Sequence, residues 1–486
     1  MTLAIKGANE IPTCHGGLEN LDEEYAYWID EVEGEVPRDL TGTFFRNGPG
    51  RQRIGGKPYG HWFDGDGMVC AFTLRGGRVH FRNRYVRTPK YIEETQAQAI
   101  RYRGFGTQVP GGFRKNFLHM PANPANTNTV WHGGHLLALN EGGKPWALNP
   151  ANLETLGEFT YDGGLHAGDV FSAHGKIHPR SGEYINFGAG IAGFGLKGPR
   201  PCLNVYRIRA DGVLAQRVQV PLTHFPFCHD FALSDRYAVF FLGSIVFGNM
   251  LPVILGTRTI ADQVRFDPAI PMRILVLDLS DFSVVREFET DPGAVIHFAN
   301  AWEEADTLVV DGMFADNFRA NEALKDVFNP DSRFNGGQYL RFQLNLKDGS
   351  LAKQKVCSTE SEFPTFNNAF AGRRNEVTWT ACSVPNGADS FFNAIQRMTH
   401  DGEATLLELP KGLYGSEPLF APADNATRED DGYLLEVVYD GFRHRSDLQI
   451  YRADSMEQVA VLHLKHHVPH QFHGFFTHDV FLSAGD

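Results

Sequence analysis

The sequence predicts an all-β fold of the β-propeller type, and three observations support this prediction. The chain of 486 residues contains 51 Gly and 26 Pro, a composition typical of many short strands joined by tight turns. Pairs of strand-like segments separated by Asp-Gly or an equivalent polar turn recur along the chain. Helical periodicity is weak. A propeller suits such repeats because its blades are antiparallel hairpins arranged around one axis.

The strand–turn–strand pattern defines the expected organisation of the chain. It is clearest in five segments, namely 203–220, 273–288, 339–356, 394–409 and 448–464. We expect short helices in only two places, around residues 23–28 and 317–335. No low-complexity segment divides the chain. We therefore predict an N-terminal extension over residues 1–30 and a single propeller domain over residues 31–486, with short helices and loops capping one face.

Charge and cysteine usage exclude several classes of protein. The formal net charge of -13, without any basic block, argues against a nucleic-acid partner. The six cysteines are scattered without paired spacing or a preceding signal peptide, which favours a reducing, cytoplasmic location. No uninterrupted apolar run is long enough to span a bilayer. Nothing in the sequence indicates an obligate protein partner.

One short apolar run has two interpretations. Residues 245–256 include Phe247, Leu251 and Ile254 and are interrupted by glycine, asparagine and proline. Such a run is typical of a buried strand followed by a turn. It is equally typical of a surface patch that dips into a membrane or guards the entrance of an apolar tunnel, together with residues 191–196. We therefore expect either a core element or a peripheral membrane contact here.

Four histidines lie in strongly apolar, strand-like surroundings. They are His174, His229, His297 and His473. A buried imidazole needs a partner, and residues so far apart suit a metal ion centred among radially arranged strands. Two assignments stay open on spacing alone, because His178 shares a strand face with His174 and other histidines crowd His473. These neighbours of His473 are His466, His467 and His470.

A series of longer motifs carries a family resemblance. They are GTFFRNGPG at 42–50, FDGDGMV at 63–69, YVRT at 85–88, NTN at 126–128, SAH at 172–174, HDF at 229–231, EDDG at 429–432 and HG at 473–474. With these motifs in order from about residue 25 to the C-terminus, the sequence resembles the carotenoid cleavage oxygenase family, especially its bacterial, retinal-forming members. The resemblance implies a seven-bladed propeller with one Fe(II) per chain on its axis.

The resemblance also implies roles for particular residues. The iron ligands carry over to His174, His229, His297 and His473. The carboxylates that orient these rings and offset the metal charge carry over to Glu141, Glu362 and Glu417. Thr127 matches a threonine near the open coordination positions, where its methyl group limits ligand access. Where the family often has a His-His pair, this chain has His297-Phe298, and only the first position is the ligand.

The activity that the resemblance implies is an oxidative cleavage with O2. Both oxygen atoms add across one conjugated C=C bond of an apocarotenoid, at the 15,15' bond, and yield retinal and a second aldehyde. A neutral, lipophilic substrate is consistent with the composition, which includes 38 Phe. Two alternatives remain, namely a stilbenoid-cleaving dioxygenase of the same family and a non-catalytic propeller that serves as a binding module.

Overall fold

The strands of the protein are short and follow one another closely along the chain. The computed structural model describes residues 12–195, 198–225, 227–329, 332, 336–385 and 391–486. Before residue 90 the strands are β1 (Ala26–Trp28), β2 (Val32–Gly34), β3 (Gly42–Arg51), β4 (Arg53–Ile54), β5 (Lys57–Pro58), β6 (Asp66–Arg75) and β7 (Arg78–Tyr85). Those up to residue 221 are β8 (Asn128–His132), β9 (His135–Leu139), β10 (Trp146–Leu148), β11 (Thr155–Glu158), β12 (Lys176–Ile177), β13 (Tyr184–Gly195), β14 (Gly198–Ile208) and β15 (Leu214–Pro221).

The second half of the chain continues the same pattern. Up to residue 355 the strands are β16 (Ala232–Leu233), β17 (Tyr237–Leu242), β18 (Ile245–Phe247), β19 (Val264–Phe266), β20 (Met272–Asp278), β21 (Val284–Thr290), β22 (Ala294–Glu304), β23 (Thr307–Ala315), β24 (Gln338–Asn345) and β25 (Leu351–Lys355). The last are β26 (Ser361–Thr365), β27 (Val377–Cys382), β28 (Ala394–Thr399), β29 (Ala404–Glu408), β30 (Leu413–Tyr414), β31 (Leu419–Pro422), β32 (Gly432–Asp440), β33 (Arg445–Arg452), β34 (Gln458–His463) and β35 (His473–Thr477).

Helices are few and short. The α-helices are α1 (Pro89–Ala97), α2 (Phe113–Asn116), α3 (Leu251–Ile254) and α4 (Ala320–Lys325). Short 3-10 helices occupy Cys14–Leu18, Trp62–Asp64 and Asn368–Phe370. Among the described residues, no helix is long and apolar enough to cross a membrane.

Seven antiparallel sheets form the blades, which confirms the predicted seven-bladed propeller. In spatial order they are β1-β7-β6-β3-β35, β11-β10-β9-β8, β12-β13-β14-β15, β16-β17-β20-β21, β22-β23-β24-β25, β26-β27-β28-β29 and β2-β34-β33-β32-β30, with β31 also pairing β32. We number these blades 1 to 7 in that order. Two further pairs, β4-β5 and β18-β19, are separate ribbons.

The last strand closes the ring. β35 pairs with β3 in blade 1, and the register sets Asn47 opposite His473 and Arg46 opposite Gly474. This pairing joins the two ends of the chain in one sheet. A Cβ atom at residue 474 would lie 2.5 Å from the Phe45 carbonyl oxygen and 2.7 Å from Arg46 Cδ. Only glycine therefore permits the close approach of the two strands.

All five predicted hairpins are present as β14–β15, β20–β21, β24–β25, β28–β29 and β33–β34. The helix expected within 317–335 is α4, and residues 330–331 and 333–335 of that range lie outside the described residues. The helix expected at 23–28 is wrong, because Ala26–Trp28 forms β1 and pairs with β7. The aromatic rings there favour a strand, since Tyr27 packs on Phe81 with ring centroids 5.6 Å apart.

The N-terminal segment is attached to the propeller. Residues 1–11 of the predicted extension lie outside the described part of the chain. In the remainder, Cys14 and Leu18 are buried in a cluster with Trp62 and Tyr414, and β1 forms the edge of blade 1. A domain boundary at residue 30 stays a prediction, and β1 is part of the propeller sheet.

The apolar run at 245–256 divides between core and surface. Ile245 is buried in β18, as the core interpretation expects. In α3, Leu251 is 56% exposed and Ile254 is 46% exposed. Phe247 is half-buried and packs on Phe227, with ring centroids 6.5 Å apart. On the β13–β14 hairpin, residues 191 and 194 are exposed, and residues 196–197 lie outside the described residues.

Packing between blades 1 and 7 predicts a large effect of truncating Phe44. This ring is fully buried in a cluster that joins both blades. Phe44→Ala should lower the free energy of unfolding by about 3–5 kcal/mol, as expected when a buried aromatic leaves a cavity. The measurement is denaturant unfolding followed by circular dichroism. Phe442→Ala is the control, because that ring is 64% exposed; equal destabilisation by both changes would contradict the packing argument.

Candidate metal centre

Four blades each contribute one histidine to a single point. His174 lies two residues before β12 and His229 lies three residues before β16, whereas His297 is within β22 and His473 begins β35. These strands end the sheets of blades 3, 4, 5 and 1. The candidate ligand atoms of the four side chains all lie within 4.8 Å of one another. The propeller therefore brings together residues that are separated by up to about three hundred positions, as the metal hypothesis requires.

The four rings face one another closely. Nε2 of His229 lies 3.1 Å from Nε2 of His297. The ring of His174 lies 4.3 Å from that of His229 and 4.6 Å from that of His473, measured between centroids. Imidazolium groups at such distances repel one another, so the arrangement favours neutral rings around a shared cation.

Three carboxylates hold the outer nitrogen of three rings. Glu362 Oε2 lies 2.6 Å from Nδ1 of His297. Glu417 Oε1 lies 2.9 Å from Nδ1 of His473. The third carboxylate, Glu141, contacts Nδ1 of His229, so three of the four rings each have a carboxylate partner. A ring that donates from Nδ1 keeps the Nε2 lone pair for a metal, so each carboxylate sets both the tautomer and the orientation.

The fourth ring has no such carboxylate. Glu141 Oε1 is 3.9 Å from Nε2 of His174, which is beyond hydrogen-bond distance. This buried nitrogen has no hydrogen-bond partner among the described residues. Leaving a buried polar atom unpaired costs about 1–3 kcal/mol, whereas a bound metal would satisfy it. The site thus fits a divalent ion of the kind that imidazole nitrogens bind.

Burial and neighbouring charges shift the pKa values of three of these imidazoles. Burial and the three neighbouring imidazoles hold the pKa of His174 well below its usual value. Burial also lowers the pKa of His473, against the opposing effect of Glu417. For His229, burial acts in the same direction, but the attraction of Glu141 outweighs it and the pKa is raised. Protons therefore compete with a metal more strongly at His229 than at His174 or His473 when the solution is acidified.

Aromatic rings enclose the centre. The ring of Phe363 lies 5.3 Å from that of His297 and 5.2 Å from that of His473. Phe363 has φ 54°, a left-handed conformation that is rare for an aromatic residue and requires support from its surroundings. Phe227 lies parallel to His229, with centroids 6.4 Å apart. Sequence reasoning missed both rings; proximity to Glu362 was the only local signal for Phe363.

Thr127 lies beside the strand of His473. Its carbonyl oxygen accepts a hydrogen bond from the His473 N–H over 3.2 Å. Its hydroxyl donates to Asn126 Oδ1 and accepts from Asn140 Nδ2, at 3.3 Å and 3.2 Å. Asn140 is the neighbour of Glu141, so Thr127 connects two parts of the candidate centre. Its role at the open coordination positions stays a prediction.

The competing histidines lie elsewhere and have ordinary partners. His178 Nε2 is 3.2 Å from the Asp235 carbonyl oxygen. His470 Nε2 is 3.0 Å from the Cys14 carbonyl oxygen. In the same C-terminal region, His466 contacts the Tyr27 hydroxyl and His467 contacts the Glu19 carbonyl oxygen. None of these four belongs to the cluster of candidate ligands among the described residues.

Comparison with known proteins agrees with this fold. A family model described as retinal pigment epithelial membrane protein matches residues 18–478. The chain therefore belongs to this family, the carotenoid cleavage oxygenases. It is 34% identical over 469 residues to the apocarotenoid-15,15'-oxygenase of Synechocystis, covering 94% of each chain. The crystal structure of cobalt-substituted Synechocystis apocarotenoid oxygenase superposes with a TM-score of 0.87 at 33% identity, covering 95% of this chain and 98% of that one.

More distant relatives have other named substrates. The carotenoid 9,10(9',10')-cleavage dioxygenase 1 of Arabidopsis thaliana is 29% identical, covering 92% of this chain and 86% of the relative. The resveratrol cleavage oxygenase 1 of Aspergillus fumigatus is 28% identical and covers 91% of each chain. Family membership therefore defines an oxygenase without choosing between polyene and stilbene substrates.

Removing the charge of one carboxylate should weaken metal binding. Glu362→Gln is expected to reduce the affinity of the metal-free protein for Co(II) by about 10- to 100-fold, the usual scale for a partner of a metal-binding imidazole. Calorimetric titration measures this affinity. Glu360→Gln is the matched control, because Glu360 is exposed and two residues away. An unchanged affinity in Glu362→Gln would contradict the role of the carboxylate.

Proposed function

We propose that this protein is a non-haem Fe(II) dioxygenase that cleaves the 15,15' double bond of an apocarotenoid into retinal and a second aldehyde. The observation that carries the proposal is the cluster of four imidazoles, three of them oriented by carboxylates. The relative that is 34% identical and named apocarotenoid-15,15'-oxygenase supports the choice of substrate and bond. O2 is the second substrate.

The proposed ligands are His174, His229, His297 and His473, and they hold one Fe(II) per chain. Bound iron supplies a site at which O2 is activated toward a C=C bond. Four neutral ligands leave the full charge of a dication in a buried site, and the carboxylates of Glu141, Glu362 and Glu417 offset it. In this account Thr127 limits access to the open positions.

The proposed substrate site is a row of apolar side chains that starts at the metal centre. Phe227 stacks on His229. The ring centroids of Phe318 and Phe247 lie 5.4 Å and 6.5 Å from that of Phe227. The same cluster includes Ile296, which precedes His297. A neutral polyene needs extended apolar contact rather than charged partners. We propose that these side chains bind and align the polyene and exclude water from the centre.

Product analysis tests the substrate. Incubation of the iron-loaded protein with a β-apo-carotenal under O2 should yield retinal, whereas a hydroxystilbene should remain intact. Liquid chromatography with mass spectrometry identifies the aldehydes. His229→Ala is the control, because it removes one proposed ligand and should abolish both metal binding and cleavage. An inert polyene together with a cleaved stilbene would establish the alternative substrate class, and activity in His229→Ala would refute the metal mechanism.

We further propose that α2 and α3 form a membrane-contacting surface beside the substrate site. Arg103 joins the two helices, because its guanidinium donates to the carbonyl oxygens of Asn116 and Val253 over 3.1 Å and 2.9 Å. Leu251 and Ile254 are exposed on this surface. The exposed apolar side chains contributed by α2 and its C-terminal loop are Phe113, Phe117, Leu118 and Met120.

The charge of this surface supports the same proposal. Residues 108–122 and 245–261 contain no Asp or Glu, although the whole chain has a net charge of -13. Arg114, Lys115 and Arg258 are exposed within them. An apolar surface with basic residues suits a bilayer that contains anionic lipid. No disulfide joins any of the cysteines in the described part of the chain, which supports the proposed cytoplasmic location.

Vesicle sedimentation tests the membrane contact. The double change Leu251→Asp and Ile254→Asp should reduce binding to phosphatidylcholine–phosphatidylserine vesicles at least about tenfold, because each aliphatic side chain contributes about 1.5–3 kcal/mol when buried. Leu406→Asp is the control, since Leu406 is also exposed but lies on β29. Equal binding by the double variant and the control would contradict the proposed surface.

A further inference from the structure

A fully buried arginine supports one of the three His–Glu pairs. Arg46 lies in β3, and its side chain has no solvent exposure. Its Nη1 donates to Glu417 Oε2 over 2.6 Å, and its Nη2 donates to the Phe472 carbonyl oxygen over 3.2 Å. Glu417 also contacts His473 Nδ1 and accepts from the Gly474 N–H, each over 2.9 Å. Arg46 therefore connects the loop of Glu417 to the strand that begins at His473.

The other two pairs have no such cation. Within the described part of the chain, neither Glu141 nor Glu362 forms an ion pair with a lysine or arginine. Lys176 follows His174 closely, but its ammonium group pairs with Asp230 over 2.9 Å and adds no net charge. Arg46 is thus the cation that distinguishes the His473–Glu417 pair from the other two pairs.

With Arg46 included, the charges of the centre balance around a dication. Four neutral imidazoles contribute no charge, and the three carboxylates contribute three negative charges. A dication and Arg46 together contribute three positive charges. Glu436 also interacts with Arg46, and the balance requires its carboxyl group to be protonated; burial raises the pKa of Glu436 to about 8, which favours that state. A buried site with no net charge avoids the large solvation cost of an uncompensated charge.

We propose that Arg46 is a positioning residue that holds Glu417 against His473 and sets the net charge of the centre to zero for a divalent metal. This inference rests on the proposed four-histidine iron site. Removing the positive charge leaves one net negative charge, which favours Fe(III) over Fe(II). Removing the charge of Glu417 has the opposite effect. Removing both charges restores neutrality.

A double-mutant cycle tests the charge balance. Wild-type protein, R46Q, E417Q and R46Q/E417Q are loaded with Fe(II) without oxygen. Redox titration, with Fe(III) followed by electron paramagnetic resonance, measures the midpoint potential of the iron. The potential should be lowest in R46Q, highest in E417Q and close to wild type in the double variant. If Arg46 acted only in packing, the double variant would depart from wild type at least as far as R46Q.

Two further comparisons complete the test, namely R46K with wild type and the double variant with E417Q. R46K keeps the positive charge but loses the second hydrogen bond of the guanidinium, so its midpoint potential should equal that of wild type, unlike that of R46Q. If R46Q does not fold, the proposal still requires a lower potential in the double variant than in E417Q. Equal potentials in all variants would overturn it. A wild-type chain that binds no Fe(II) would instead refute the metal site itself, together with this role.

Discussion

Pairing of the last strand with β3 is the constraint on which the rest of the structure depends. β35 joins blade 1, so both ends of the chain meet in one sheet and the ring has no open edge at this point. The same pairing sets His473 opposite Asn47. The other three histidines stand on blades 3, 4 and 5, far from the C-terminus in sequence. The candidate metal centre therefore exists only when the ring is closed.

Charge explains why the centre has so many polar neighbours in an apolar interior. A metal held only by imidazoles keeps its full charge, and a buried charge needs compensation. In the proposed account, Glu141, Glu362 and Glu417 would supply this compensation at the outer nitrogens, and Arg46, paired with Glu417, would bring the net charge to zero. Surrounding phenylalanine rings lower the local polarity, which strengthens these interactions and suits a polyene substrate. Electrostatics and substrate binding thus make compatible demands on the same site.

How much the sequence predicts depends on the range of the interactions involved. Hairpins such as β14–β15 are predictable because local turn residues and alternation specify them. The segment at 23–28 was misassigned because its pairing with β7, a tertiary contact, decides its conformation. Context and spacing could not separate His174 from His178, and only the family resemblance did so. Arg46 was visible as an arginine within an apolar strand, but its partner Glu417 is 371 positions away, so its role required the structure.

The central claim is that four imidazoles from four blades hold one iron ion. X-ray absorption spectroscopy at the iron edge, on wild-type protein loaded with Fe(II) without oxygen, tests it most directly. The account predicts one iron per chain with four imidazole ligands and no carboxylate oxygen from Glu141, Glu362 or Glu417 bound to the metal. A coordination sphere with fewer than four imidazoles, or with one of these carboxylates bound to the iron, would contradict it.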